Sequence, residues 1–188
     1  MAKRLLDRIL VVDVEATCWD TGVPEGQAND IIEIGLTVLD IAAGERADRI
    51  GLIVRPERSS VSAFCTELTT LTQTDVDAGI AFAEACALLR SAYRSHQRVW
   101  ASWGDYDRDQ FARQCDALGV PYPFGPRHLN VKTLYSLAHG LPRELGMAAA
   151  LSHAGQPLEG THHRGVDDAW NIAGLLGGLF AAVRRTDS

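Results

Sequence analysis

The chain is short of basic charge: 18 Lys and Arg stand against 24 Asp and Glu, a net charge of -6. A protein that grips nucleic acid broadly through its phosphates carries the opposite sign. That mode is disfavoured, while a site holding a few nucleotides through metal ions is not. The four cysteines, Cys18, Cys65, Cys86 and Cys115, contain no CxxC pair, which speaks against a structural zinc site. Reduced thiols are expected instead. No uninterrupted apolar run approaches the length of a membrane span, so no membrane helix is expected. The basic start, Met1 to Arg8, is broken by Asp7 and lacks the apolar region of a signal peptide. The expected location is cytoplasmic. There is no repeat, low-complexity segment or linker, and 188 residues suit one core. A single domain over residues 8–182 is expected, with short tails at 1–7 and 183–188.

Against these absences, one run stands out: Ile9-Leu10-Val11-Val12-Asp13-Val14-Glu15. It is short and β-branched, so it reads as a buried strand. Strand side chains alternate, so Asp13 and Glu15 face the same way. Two carboxylates at the end of a buried strand repel each other and lose hydration. A hard divalent cation, which prefers carboxylate oxygens, is the simplest remedy.

Patterning organises the rest. Strands are expected at about 8–15, 31–40, 49–54, 99–102 and 128–131, with a turn at Ala43-Gly44. Residues 59–79 read as polar, with short turn-like pieces. Helices are expected at 80–93, 107–118, 132–138, 143–153 (with Pro142 at its opening) and 166–183. The sum is an α/β fold with a five-stranded mixed sheet flanked by helices.

Three further clusters could carry chemistry: Asp105 and Asp107 after the fourth strand, His162 and His163 before the last helix, and Asp167 and Asp168 at its start. Each alone is weak. Acids at a helix start usually serve as caps or dipole partners, and a loop histidine is usually just solvated. Their order along the chain is more informative: Asp-x-Glu on the first strand, Asp after the fourth, then His-x-x-x-x-Asp entering the last helix.

That order resembles the DEDDh exonucleases of the ribonuclease H-like fold, over about residues 8–182. Asp13-Val14-Glu15-Ala16-Thr17-Cys18-Trp19 is similar to the first motif of the ERI-1 and KapD type enzymes. So are Ile31-Ile32-Glu33-Ile34-Gly35, Phe64-Cys65-Thr66-Glu67-Leu68-Thr69 with Gln73, and His163-Arg164-Gly165-Val166-Asp167-Asp168-Ala169-Trp170-Asn171. His163 with Asp168 and His162 with Asp167 both satisfy the family spacing, and alignment on Asp-Asp-Ala-x-Asn favours His163 and Asp168. The pattern of Gly, one residue, an aromatic and Asp favours Asp107 over Asp105.

The resemblance implies two Mg²⁺ (or Mn²⁺) ions held by Asp13, Glu15, Asp107 and Asp168, with His163 taking a proton from the attacking water. The implied reaction is 3′→5′ removal of nucleoside 5′-monophosphates from single-stranded or 3′-overhang RNA. Glu33 is read as a polar support for the metal-binding acids. Backbone groups of Ala16 and Thr17 lie where the family contacts the terminal sugar. Trp19, Phe64, Trp103 and Tyr106 are candidates for the wall against the terminal base, with core packing as the competing role. The family often carries a separate nucleic-acid-binding module, so a partner that delivers RNA is expected. Two rival readings stand beside it: a DNA-directed proofreading or repair exonuclease, and a KapD-like kinase-pathway regulator that keeps the fold.

Overall fold

The computed structural model describes residues 5–185; residues 1–4 and 186–188 of the expected tails lie outside them. Three long strands come first: β1 (Arg8–Ala16), β2 (Ile31–Asp40) and β3 (Arg46–Arg55). They pair as an antiparallel meander, with Asp13 opposite Gly35 and Glu15 opposite Glu33. Gly44, at φ 71°, makes the turn between β2 and β3, a conformation that favours glycine. Two short helices follow, α1 (Ala63–Thr69) and α2 (Gln73–Asp77), and then β4 (Ile80–Ala81) and α3 (Phe82–Ala92). The remainder is β5 (Val99–Ser102), α4 (Tyr106–Leu118), β6 (His128–Asn130), α5 (Val131–Ala138), α6 (Met147–His153) and α7 (Gly165–Arg185).

Among the described residues the sheet has six strands, not five, in the order β4-β3-β2-β1-β5-β6. The extra strand is the two-residue β4, parallel to β3, at a position the sequence pattern assigned to the start of a helix. The segment expected to be turn-like holds α1 and α2. Their caps define them better than their apolar pattern does: Ser62 Oγ accepts the Cys65 amide, and Thr72 and Asp75 form a reciprocal capping box. Helix α6 starts at Met147 after Gly146, not at Arg143, because Glu144 binds Thr133 and the Leu145 carbonyl accepts Trp103 Nε1.

Alternation along β1 places the site. Leu10, Val12 and Val14 enter the core shared with Phe82, Leu89 and Phe111 of α3 and α4. Ile9 and Val11 enter the core shared with Tyr135, Leu151, Ile172 and Leu176 of α5, α6 and α7. Asp13 and Glu15 continue this second set, so they lie on the α7 face. Helix α7 is long and apolar enough to cross a membrane by length and composition (Gly165–Arg184, mean hydropathy 1.2), which the sequence reading did not anticipate. Its buried stripe, Ala169, Ile172, Ala173, Leu175 and Leu176, packs on the sheet, as the core helix of a folded domain does. Gly35 fixes where α7 begins: a Cβ there would lie 1.8 Å from the Gly165 carbonyl oxygen. The start of α7 therefore sits on β2, opposite Asp13.

Candidate active site

A cleft of about 320 Å³ opens at the end of β1. Its walls include Asp13, Glu15, Asp107, His162, His163 and Asp168. Carboxylate oxygens of Asp13, Glu15 and Asp168 lie within 4.8 Å of one another. The fourth acid arrives from the opposite layer. Parallel pairing of β1 with β5 stops at Val11 and Ala101, which leaves the edge of β1 open beyond it. There the Val14 N–H donates to Asp107 Oδ1 at 2.8 Å. All five residues expected from the sequence thus converge.

Burial and mutual repulsion push this cluster toward protonation. Asp13 is raised well above the carboxylate range by burial and then by Asp107, Glu15, Asp168 and Glu33. Burial, then Asp168 and Glu33, lifts Glu15 to about 8. Burial lifts Asp107 to about 7 against the opposing Val14 amide. Asp168 is raised by burial, with His162 opposing. Such a set fits divalent cations: it supplies hard oxygen donors, close together and short of positive charge.

The paired motifs now separate. Asp105 is an exposed acid held by Arg108 and Asn130, while Asp107 is buried in the cleft. Asp167 turns to Arg49 and the Thr161 amide, while Asp168 faces the cleft. His163 lies at φ 62°, and its N–H donates to Asp168 Oδ2 at 3.0 Å. Its imidazole pKa is lowered by burial and then by His162, which leaves the ring neutral and able to accept a proton near neutral pH. Glu33 is fully buried and accepts from Arg164 Nε at 3.0 Å and the Gly165 N–H at 2.9 Å. This carboxylate, directly opposite Glu15, ties the histidine loop to β2.

The substrate-facing expectations divide. Ala16, Trp103 and Tyr106 line the cleft. Thr17 does not fit a sugar contact. It is fully buried, its N–H donates to the Asp30 carbonyl and its own carbonyl accepts from Asn29 Nδ2. Its hydroxyl meets Ala28, Asp30 and Ser59, so its polar groups are engaged in holding the loop. Phe64 is 40% exposed and is not among the cleft residues; Leu68, one turn further along α1, takes that place, because the helix turns Phe64 outward. Trp19 is not among them either. Cys18, Leu68 and Met147 line the cleft without having been singled out for it, and so does His162, the alternative to His163 in the sequence. For Leu68, the i, i+4 spacing from Phe64 was the available signal; for Met147 there was none.

Carboxylates from three elements, converging beside a loop imidazole on a ribonuclease H-like sheet, define the site of a DEDDh-type exonuclease. The chain belongs to the Exonuclease family (RNase_T), whose model matches residues 10–176. It is similar to the 3′-5′ exonuclease Snipper of Drosophila melanogaster, 28% identical over 204 residues, covering 94% of this chain and 72% of that protein. It is also similar to 3′-5′ exoribonuclease 1 of Rattus norvegicus, 30% identical over 177 residues, covering 89% of this chain and 51% of the relative. The chain therefore spans about half the length of that relative. Among solved structures, the nuclease domain of 3′hExo, a DEDDh family member bound to rAMP, matches with a TM-score of 0.86 at 27% identity, covering 96% of this chain and 95% of the other.

Proposed function

We propose that the protein is a divalent-metal-dependent 3′→5′ exoribonuclease that releases nucleoside 5′-monophosphates from single-stranded or 3′-overhang RNA. The convergence of Asp13, Glu15 and Asp168 around a 4.8 Å space carries this reading, with Asp107 bonded to the amide between the first two. Asp13, Glu15 and Asp168 would hold one Mg²⁺ or Mn²⁺ ion, and Asp13 with Asp107 a second. When bound, the pair supplies charge neutralisation at the phosphate and acidifies the attacking water.

The chain's own residues do the rest. His163 accepts the proton of the water at its ring nitrogen, held at the cleft by the hydrogen bond that its backbone N–H donates to Asp168 Oδ2. Glu15 orients that water from the floor. Leu68, Trp103 and Met147 present apolar surface to the terminal base, and Trp103 is fixed through its indole N–H to the Leu145 carbonyl at 3.2 Å. Ala16 presents backbone at the place of the terminal sugar. RNA is preferred over DNA in this reading because relatives covering most of the chain are named exoribonucleases. A structure named for recognition of the histone mRNA stem-loop also matches at 26% identity with a TM-score of 0.84. With all five motif positions filled, a regulator lacking turnover is the weaker reading.

Matched RNA and DNA oligonucleotides of one sequence, degraded under identical Mg²⁺, test the substrate. Faster loss of RNA, and slowing when only the terminal 2′-hydroxyl is removed, is expected. Equal or faster loss of DNA would replace this reading with a DNA-directed exonuclease.

A further inference from the structure

His162 is the one imidazole at the cleft to which the mechanism gives no task. In an extended chain, consecutive side chains point to opposite sides. Here the left-handed turn at His163, φ 62°, brings the two rings together instead. They stack with centroids 4.0 Å apart and planes at 17°. His162 Nδ1 lies 3.0 Å from Asp168 Oδ2, and the same oxygen accepts the His163 N–H. One donor atom from each of His162, His163 and Asp168 falls within 4.8 Å of the others. The loop that carries them is pinned on both sides, by Thr161 to Asp167 and by Arg164 to Glu33.

Asp168 therefore belongs to two donor sets of different chemistry. With Asp13 and Glu15 it makes an all-oxygen set suited to Mg²⁺. With the two histidines it makes a two-nitrogen, one-oxygen set suited to a borderline cation such as Zn²⁺. Ligand atoms on a tetrahedral zinc lie roughly 3.3 Å apart at the usual bond lengths, so closing the set takes movements of up to about 1.5 Å, together with a turn of the stacked rings, now only 17° from parallel, until their in-plane lone pairs meet at one point.

We propose that His162, His163 and Asp168 form a zinc-class binding site, and that Zn²⁺ seated there shuts the enzyme down. The lone pair that His163 would offer to water is then engaged, and Asp168 is drawn from the oxygen set. Inhibition by Zn²⁺ rests on the exonuclease reading; binding of Zn²⁺ does not.

The test is a direct titration of the full chain with Zn²⁺ by calorimetry, in millimolar Mg²⁺, with Co²⁺ absorption reporting nitrogen ligation. His162→Ala and His162→Gln, each checked for native circular dichroism, should weaken Zn²⁺ binding about tenfold or more. Asp13→Asn, outside the histidine set, should bind Zn²⁺ as the wild type does. Unchanged affinity in both His162 variants would overturn the proposal, as would loss of Zn²⁺ binding in Asp13→Asn, which would put the ion on the carboxylates. If Zn²⁺ binds through His162 but the protein releases no nucleotide from RNA, the exonuclease reading fails and the site stands.

Discussion

The carboxylate of Asp107 accepts the backbone N–H of Val14 at 2.8 Å, across 93 residues of chain. Val14 lies between Asp13 and Glu15, so this bond docks the acid of α4 onto the strand that carries the other two. Nothing of the kind supports Asp105, two residues earlier, which is exposed and paired with Arg108. Asp107→Asn should lower RNA hydrolysis at least about 100-fold, beyond the usual effect of residues one layer further from a metal. Asp105→Asn should stay within about threefold of wild type, as surface changes usually do. Steady-state rates on a labelled RNA oligonucleotide compare the two.

The buried acids give the ion-free protein a distinctive pH response. Glu15 and Asp107 are raised to about 8 and about 7 from ordinary values of 4.5 and 3.8. A carboxyl whose pKa is raised by folding contributes stability that is full below its unfolded value and is lost as pH rises through its folded value. Between about pH 5 and pH 8.5, in chelator, thermal stability should therefore fall. Asp7, Asp75 and Glu159, whose values are lowered, titrate below this window; the imidazoles of His96, His128 and His163, also lowered, act in the opposite sense within its lower part, so the fall is clearest above about pH 6.5. Mg²⁺ should restore the loss, by about 2.7 kcal/mol at a hundred times its dissociation constant. Melting curves at several pH values, with and without Mg²⁺, show whether the restoration is larger at pH 8.5 than at pH 5.5.

Arg164 sits beside the proposed base and neutralises Glu33, which is fully buried opposite Glu15. Arg164→Met leaves that carboxylate inside the fold without its partner. A loss of about 2 to 3 kcal/mol is expected, less than for a fully enclosed pair because the Arg164 side chain is 28% exposed. Activity should fall as well, through the histidine loop. Urea denaturation and kcat measured on the same preparation separate the two effects.

Gly35 lets α7 rest on β2. Gly35→Ala would place a methyl group 1.8 Å from the Gly165 carbonyl oxygen, and the backbone of a core helix cannot step aside cheaply. A loss of about 3 kcal/mol or more is expected, together with loss of activity as Asp168 moves away from Asp13. Urea denaturation, read by tryptophan fluorescence, measures it.

The site was legible in the sequence where identity and spacing carry the chemistry. Asp13 and Glu15 show their shared face through strand alternation alone, while spacing left His162 with Asp167 open and the resemblance, aligned on Asp-Asp-Ala-x-Asn, favoured His163 and Asp168. What stayed hidden depends on three-dimensional placement. Thr17 sits in a motif position, yet its polar groups are taken by Ala28, Asn29, Asp30 and Ser59. Phe64 and Leu68 lie on one short helix, and only its orientation decides which of them meets the cleft. Strand β4 has two residues, too few for any period to register. Helix α2 has five and relies on the Thr72–Asp75 capping box, so its apolar pattern carried no signal.

The central claim is that Asp13, Glu15, Asp107 and Asp168 hold divalent ions that shorten RNA from its 3′ end. The most direct measurement follows a 5′-labelled single-stranded RNA on a sequencing gel, first with chelator, then after Mg²⁺ is restored. The expected result is intact RNA in chelator, then a ladder that shortens one nucleotide at a time from the 3′ end. Internal fragments, or degradation that continues in chelator, would contradict the account.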